Sequence, residues 1–212
     1  MDDILKEAYK GVMDGDVDTV ETQTRKALDG GIGPEVLLND VLIPAMDEVG
    51  QKFEAGDFFV PDLMFTARAM QAGLAIVKPK LLEKDIKPIG RVLIGTVKGD
   101  QHDIGKNLVA MMLEGAGFEI LDIGVDVSPE AFVEGIKDNQ VDIVAMSALL
   151  TTTMPMMKTN VDAINEAGLR DAVKIIVGGA QVNQAYAEEI GADGSAPDAA
   201  QAAKLARSLV GK

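Results

Sequence analysis

From residue 91 onward, short apolar runs alternate five times with amphipathic stretches, and few folds satisfy that alternation. Residues 91–97 (RVLIGTV) are almost uninterruptedly apolar, as a strand covered on both faces must be. A helix from about 104 to 114 follows, closed by Gly115 and Gly117, and residues 118–124 alternate as a second strand. Ser128-Pro129-Glu130 supplies an N-cap, a first-turn proline and an early acid for the next helix. Residues 141–148 predict a third strand and 156–167 a helix; 174–177 predict a fourth strand running into Gly178-Gly179. A helix over 183–190, a short fifth strand near 192–196 and a last helix after Asp198 complete the series. The pattern predicts a parallel α/β sheet with helices on both faces.

The N-terminal part has a different texture. Ile4, Leu5, Ala8 and Val12 line one helical face that ends at Asp14-Gly15, and Val17, Val20, Thr24 and Leu28 line a second, stopped by Gly30-Gly31. A third helix spans 34–53 through Leu38, Leu42, Met46 and Val49, with Pro44 expected to bend it. The fourth begins at Pro61 and carries Leu63, Ala67, Met70, Leu74, Val77 and Leu81, spaced four and three apart as in a bundle seam. The charged stretch 83–90 (EKDIKPIG) reads as a linker, so the chain is divided into a four-helix bundle over 1–86 and an α/β domain over 87–212. Met46, Met64 and Met70, at helical spacing, are expected in the bundle core rather than on a cofactor face.

Charge and composition narrow the chemistry. Thirty-four acidic residues against 20 basic ones give a net charge of −14, which repels nucleic acid and anionic membranes alike. The chain has no cysteine and a single histidine, His102, so thiolate metal sites, iron–sulfur clusters, cysteine nucleophiles and two-histidine metal motifs are excluded. No segment approaches the ~20 apolar residues of a membrane span. A cytoplasmic protein without nucleic-acid or membrane partners is expected, its chemistry drawn from carboxylates, hydroxyls, backbone, one imidazole or a bound group.

In open parallel sheets, ligands sit beyond the carboxyl ends of the strands, where strand order reverses. Three predicted strand ends carry unusual residues. The first is followed by Lys98-Gly99-Asp100-Gln101-His102-Asp103-Ile104-Gly105, the third by Ser147-Ala148-Leu149-Leu150-Thr151-Thr152-Thr153, and the fourth by Gly178-Gly179-Ala180. With strand order 2-1-3-4-5, all three loops face one crevice. A neutral imidazole can bind a metal through one nitrogen while the other donates to a carboxylate, and Asp100 stands two residues before His102. One imidazole is too few for a protein-only metal cage, so a metal held there should arrive in a macrocycle that fills its equatorial positions. The paired glycines suit a flat or elongated group pressed close to backbone, where a Cβ would collide. The three threonines also suit capping of the following helix.

Asp100-x-His102-x-x-Gly105, Ser147-x-Leu149 and Gly178-Gly179 together resemble the cobalamin-binding signature DxHxxG…SxL…GG. Forty-one residues separate Gly105 from Ser147 and 28 separate Leu149 from Gly178, gaps that suit that family. Phe59-Val60-Pro61-Asp62-Leu63, continuing to Ala67-Arg68-Ala69-Met70, resembles the helical cap that precedes this module in methionine synthase and in corrinoid methyl-carrier proteins. The resemblance spans nearly the whole chain and implies a helical cap followed by a flavodoxin- or Rossmann-like cobalamin-binding domain.

It also implies roles. His102 would be the lower axial ligand of cobalt, with Asp100 hydrogen-bonded to its other nitrogen; Thr153 matches a position that is serine in methionine synthase. Gln101, Asp103, Ile104 and Gly105 complete the ligand loop. Ser147, Leu149, Thr151, Gly178, Gly179 and Ala180, with Ser195 and Ala196, would line the pocket for the cofactor's nucleotide tail, and Phe59 would lie over the upper face. The cofactor implied is methylcobalamin or a related corrinoid. The partners implied are a substrate-specific methyltransferase, an acceptor methyltransferase passing the methyl to tetrahydrofolate or a thiol, and a reductive activation protein. Methylamines, betaines, methanol and aryl methyl ethers are all compatible donors. A mutase small subunit would have no need of the helical half, a cobalamin sensor would carry a basic DNA-binding segment, and a cofactor-free flavodoxin-like domain would leave the three-part match to coincidence.

Overall fold

The computed structural model describes residues 3–211. Two compact units are present: the described residues up to Pro88 with Gly115–Gly117, and Ile89–Glu114 with the described residues from Phe118 onward.

The first unit is helical: α1 (Asp3–Met13), α2 (Val17–Asp29), α3 (Pro34–Leu37), α4 (Ile43–Ala55) and α5 (Val60–Glu83). A π turn, Leu38–Leu42, joins α3 to α4 without a break, so the stretch predicted as one helix is one rod with a wide turn in it. The cause is Pro44. It has no N–H for the carbonyl four residues back, and the ladder loosens just before it, with the Ile43 N–H reaching Leu38, five residues back. Asp16 caps α2, accepting from the Thr19 N–H at 3.1 Å. Asp62 accepts from the Phe59 N–H at 2.7 Å at the start of α5.

Val20, Leu37, Leu42, Met46, Val49, Leu63, Met70 and Val77 fill the core of this unit. At Gly73 the helices are so close that a Cβ would lie 2.9 Å from Val20 and 3.0 Å from Leu42. Met46 and Met70 are buried as expected, but Met64 is 45% exposed. Six residues before Met70 at 3.6 per turn is about 120° off its face, and Leu63 occupies the seam instead.

The second unit contains β1 (Arg91–Thr96), α6 (Ile104–Gly115), β2 (Glu119–Asp122), α7 (Pro129–Asn139), β3 (Ile143–Ser147), α8 (Pro155–Glu166), β4 (Lys174–Gly178), α9 (Gln184–Ile190), β5 (Gly194–Ser195) and α10 (Ala199–Leu209), with a short 3₁₀ turn at Arg170–Ala172. The sheet is wholly parallel, in the order β2-β1-β3-β4-β5. β3 is shorter than the 141–148 predicted from hydropathy, since Val141 and Ala148 are buried but lie outside the ladder. The register sets Thr96 beside Ser147 and Ser147 beside Gly178.

Leu93, Val144, Met146, Ile175 and Val177 from the sheet pack with Phe132, Ile136, Met157, Val161, Ala187 and Ile190, placing α7, α8 and α9 on one face. Strand side chains alternate, so Thr96, Ser147 and position 178 belong to the other face, where right-handed crossover puts α6. Among the described residues, no helix is long and apolar enough to cross a membrane.

Candidate functional site

The reversal of strand order lies between β1 and β3, whose connections run outward in opposite directions. The loop after β1 is fixed there by its backbone. The Thr96 N–H donates to Gly124 at 2.9 Å, the Val97 N–H to Ser147 at 3.0 Å, and the Asp126 N–H to the Asp100 carbonyl at 3.0 Å. Gly99 takes a positive φ of 84°, and its N–H donates to the Asp126 carboxylate at 2.7 Å. These contacts turn the Asp100 side chain inward, where it is 0% exposed.

A buried carboxylate needs partners, and Asp100 has five donors within reach. Oδ1 accepts from the His102 N–H at 3.0 Å and lies 2.7 Å from His102 Nδ1. Oδ2 accepts from the Leu149 N–H at 2.8 Å, the Leu150 N–H at 3.3 Å and the Thr153 hydroxyl at 2.7 Å. Burial alone would raise the carboxyl's pKa. Hydrogen bonds from Thr153, the His102 backbone and ring, and Leu149 outweigh it and hold Asp100 well below the usual carboxylate range. Asp100 therefore stays ionised, an acceptor only, and the His102 nitrogen facing it carries the proton.

His102 itself points outward, its side chain 51% exposed. Its carbonyl accepts from the Thr96 hydroxyl at 2.9 Å, so both backbone and ring are anchored. Nε2 has no protein partner among the described residues. Nor do the described residues gather three or more His, Asp or Glu side chains that could hold a metal ion. The donor set is thus one oriented, lone-pair-bearing nitrogen, which fits a metal whose other ligands come with it.

The structure brings Asp100, His102, Leu149 and Thr153 together directly. Thr153 is not a helix cap: its hydroxyl serves Asp100, and α8 begins at Pro155 without a side-chain cap. Gln101, Asp103, Ile104 and Gly105 are exposed around His102, and Thr151 is exposed in the β3–α8 loop. Ser195 pairs with Val177, which sets Ser195 and Ala196 beside the end of β4. Phe59 belongs to the helical unit, at the start of α5, and is 66% exposed.

The paired glycines, expected to make room for a flat group close to backbone, divide the work. At Gly179, φ is 148° and a Cβ would lie 1.9 Å from the Ala148 carbonyl oxygen, so this glycine is required by the protein's own chain. At Gly178 a Cβ would meet nothing within 4 Å, and the same holds at Gly105. Open space therefore lies beside Ser147 and Gly178 on the α6 face, where Leu108, Val109, Ala110 and Met111 are only half-buried.

Two residues of the site escaped sequence reading. Thr96 reads as one more strand residue. Lys106 reads as a surface lysine of an amphipathic helix, but it is 3% exposed and ion-paired with Asp122. The signal for it was the basic residue in a helix's first turn, where the helix dipole disfavours a cation.

Residues 90–204 match a family described as a B12 binding domain, and residues 4–78 match a second family with the same description. The chain is 39% identical over 212 residues to the corrinoid protein DSY3155 of Desulfitobacterium hafniense (strain Y51), covering 99% of this chain and 98% of that one. It is 40% identical to the trimethylamine corrinoid protein of Methanosarcina barkeri, with 98% of each chain covered. A solved cobalamin-binding protein from Desulfitobacterium hafniense DCB-2 superposes with a TM-score of 0.81 at 32% identity, covering 98% of both chains. The methanol:cobalamin methyltransferase complex MtaBC from Methanosarcina barkeri contains a chain that superposes at 0.87 with 29% identity, covering all of this chain and 81% of that one. With both halves matched and full-length likeness at this level, the chain belongs to the cobalamin-binding corrinoid proteins, a helical cap followed by a five-stranded Rossmann-like B12-binding domain.

Proposed function

We propose that this protein is a methyl carrier in which His102 Nε2 is the lower ligand of a corrinoid cobalt. The observation that carries the reading is the His102–Asp100 pair: one ring nitrogen lies 2.7 Å from a fully buried carboxylate, and the other is free toward solvent. A bound corrinoid supplies a cobalt centre able to accept and give up a methyl group.

The chain's own residues act around that centre. Asp100 selects the tautomer with the proton on Nδ1, which leaves the Nε2 lone pair outward. Asp100 is itself held in place, as an ionised acceptor, by the Leu149 and Leu150 N–H groups and the Thr153 hydroxyl, so the orientation it gives His102 is fixed from behind. Ser147, Leu149, Thr151, Gly178, Gly179, Ala180, Ser195 and Ala196 would line the space for the nucleotide tail, Gly178 by leaving it open. Gln101, Asp103, Ile104 and Gly105 would contact the group from the ligand loop.

The methyl would come from a donor through one methyltransferase and leave to tetrahydrofolate or a thiol through another, with a reductive activator restoring the carrier. Relatives named trimethylamine and dimethylamine corrinoid proteins, and the methanol:cobalamin complex, support a small methylated amine or alcohol ahead of betaines and aryl ethers. The helical half, matched to a B12 binding domain of its own, favours the carrier over a mutase subunit.

The test is reconstitution with methylcobalamin and comparison of visible spectra for wild type and His102→Ala. Wild type is expected to show histidine-ligated methyl-cobalamin and the variant a ligand-off spectrum. Identical spectra would overturn the assignment of His102.

A further inference from the structure

Two charged side chains are buried among the described residues, Asp100 and Lys106. They bracket the loop that carries His102, and residues 101–105 between them are all exposed. Asp100 has its place in the site. Lys106 makes no hydrogen bond to Asp100 or His102, and its burial calls for a physical reason. It is the third residue of α6, in a first turn where exposed backbone N–H groups already concentrate positive charge. A lysine there is ordinarily solvated, and removing it from water is unfavourable unless it is paired and hydrogen-bonded.

Here it is both. Nζ donates to the carboxylate of Asp122, the last residue of β2, and to Asn107 Oδ1 at 2.8 Å. The other Asp122 oxygen accepts from the Gly124 N–H at 2.8 Å, so the carboxylate cannot follow the lysine if α6 shifts. Asp100, at the other end of the loop, is tied to Leu149 and Thr153 beyond β3. β2 and β3 are the two neighbours of β1. The ligand loop therefore spans the end of β1 like a strap, fastened by one buried charge on each side, with the Thr96 hydroxyl holding its middle at the His102 carbonyl.

We propose that Lys106 is a positioning residue for His102. Asp100 fixes the rotation and tautomer of the ring, and Lys106–Asp122 fixes where α6 begins and so the height of the loop above the sheet. Such a strap lets an imidazole stay half-exposed yet stationary, which a ligand meeting a rigid macrocycle requires. The proposal rests on the reading of His102 as the cobalt ligand.

The experiment compares wild type, Lys106→Met, Lys106→Arg and Asp122→Asn in two measurements. The first is amide hydrogen exchange of the cofactor-free protein. Lys106→Met and Asp122→Asn are expected to speed exchange in the first turn of α6 by about tenfold or more, leaving β1 and β3 at wild-type rates. The second is titration with methylcobalamin, read by the visible spectrum. Both variants should bind about 10- to 100-fold more weakly, with a larger ligand-off fraction, and Lys106→Arg should recover most of each property.

Wild-type exchange and wild-type ligation in Lys106→Met would overturn the proposal. So would exchange that quickens equally in the strands, which marks a general stabiliser instead. If Lys106→Met does not fold, Asp122→Asn, which preserves shape, is judged by the same criteria. Should wild type load without histidine ligation, the reading of His102 fails, while the exchange data still decide whether the strap exists.

Discussion

The two units spend their polar and apolar residues in opposite ways. Among the described residues, the helical unit buries no charged side chain; its buried polar groups are Gln23, Thr24 and Thr66, and the Thr66 hydroxyl turns back on its own helix at the Asp62 and Leu63 carbonyls. Yet it leaves Phe59, Val60, Met64 and Phe65 exposed within seven residues at the start of α5. The α/β unit also exposes Ile104, Leu149 and Leu150, but it buries Asp100 and Lys106 and gives each fixed partners, Thr153 and backbone N–H groups for the first and Asp122 and Asn107 for the second. Hydrophobic burial is tolerant of position, whereas a buried charge demands partners at fixed distances. The second unit is therefore the one suited to orienting a ligand atom, and the first to presenting an apolar surface.

This contrast can be broken by substitution, and the largest effect is expected at Asp100. Asp100→Ala leaves the His102, Leu149 and Leu150 N–H groups without their acceptor and the Thr153 hydroxyl with only the Leu150 carbonyl at 3.0 Å, at about 1–3 kcal/mol per unsatisfied buried group. Since some will find water, a loss of about 3–5 kcal/mol in urea unfolding of the α/β unit is expected. A loss below about 1 kcal/mol would mean that the carboxylate is not structurally committed. In the helical unit, Met70→Ala should cost about 2–4 kcal/mol and Met64→Ala less than about 0.5, by the same measurement. Equal costs would contradict the placement of Met64 off the seam.

Gly178→Val sharpens the comparison inside the α/β unit. It should fold normally, because its side chain enters open space, but weaken methylcobalamin binding by about 100-fold, or ~2.7 kcal/mol, in titration. Gly179→Ala should instead lower the unfolding midpoint, because its Cβ meets the Ala148 carbonyl. Normal cofactor loading by Gly178→Val would show that this space is not part of the site.

The smallest effect concerns pH. Burial, then the 2.5 Å hydrogen bond to Glu48, pushes the Tyr9 phenol up to about 12. Its folded value exceeds the ordinary ~10, so this contribution is complete below pH ~10 and is lost as pH rises toward about 12. Tyrosinate absorbance should show late ionisation, and Tyr9→Phe should flatten the alkaline fall in stability of the helical unit. An ordinary phenol titration would refute the burial of this hydroxyl.

Much of this was legible in the sequence because the relevant signals are local. Strand–helix alternation, Ser128 as a cap and the start of the last helix after Asp198 follow from neighbours a few residues apart. The triplet of Asp100, His102 and Gly105 marked the ligand loop for the same reason. What escaped depends on distant partners. Thr153 was marked by the resemblance alone, because its neighbours equally suit a capping threonine and the carboxylate it serves is 53 residues away. For Lys106 the local signal, a cation in a helix's first turn, marks something unusual but not its reason, which is Asp122 on another strand. Gly178 and Gly179 look alike until Ala148 is placed beside only one of them. Pro44 advertised a disturbance, but its form, a wider turn, depended on what the surrounding helices could absorb.

That wide turn has a consequence for how the helical unit tolerates change in length. The Leu38–Leu42 segment holds one residue more than a regular ladder would, so α3 and α4 are offset in phase about a common axis. Deleting any one of those five residues would close the ladder into regular winding and keep Met46 and Val49 turned inward, but it would press Pro44 against the carbonyl four residues back. A change in length in the middle of this rod therefore carries a strain that the turns near Gly15, Gly31 and Gly56 would not.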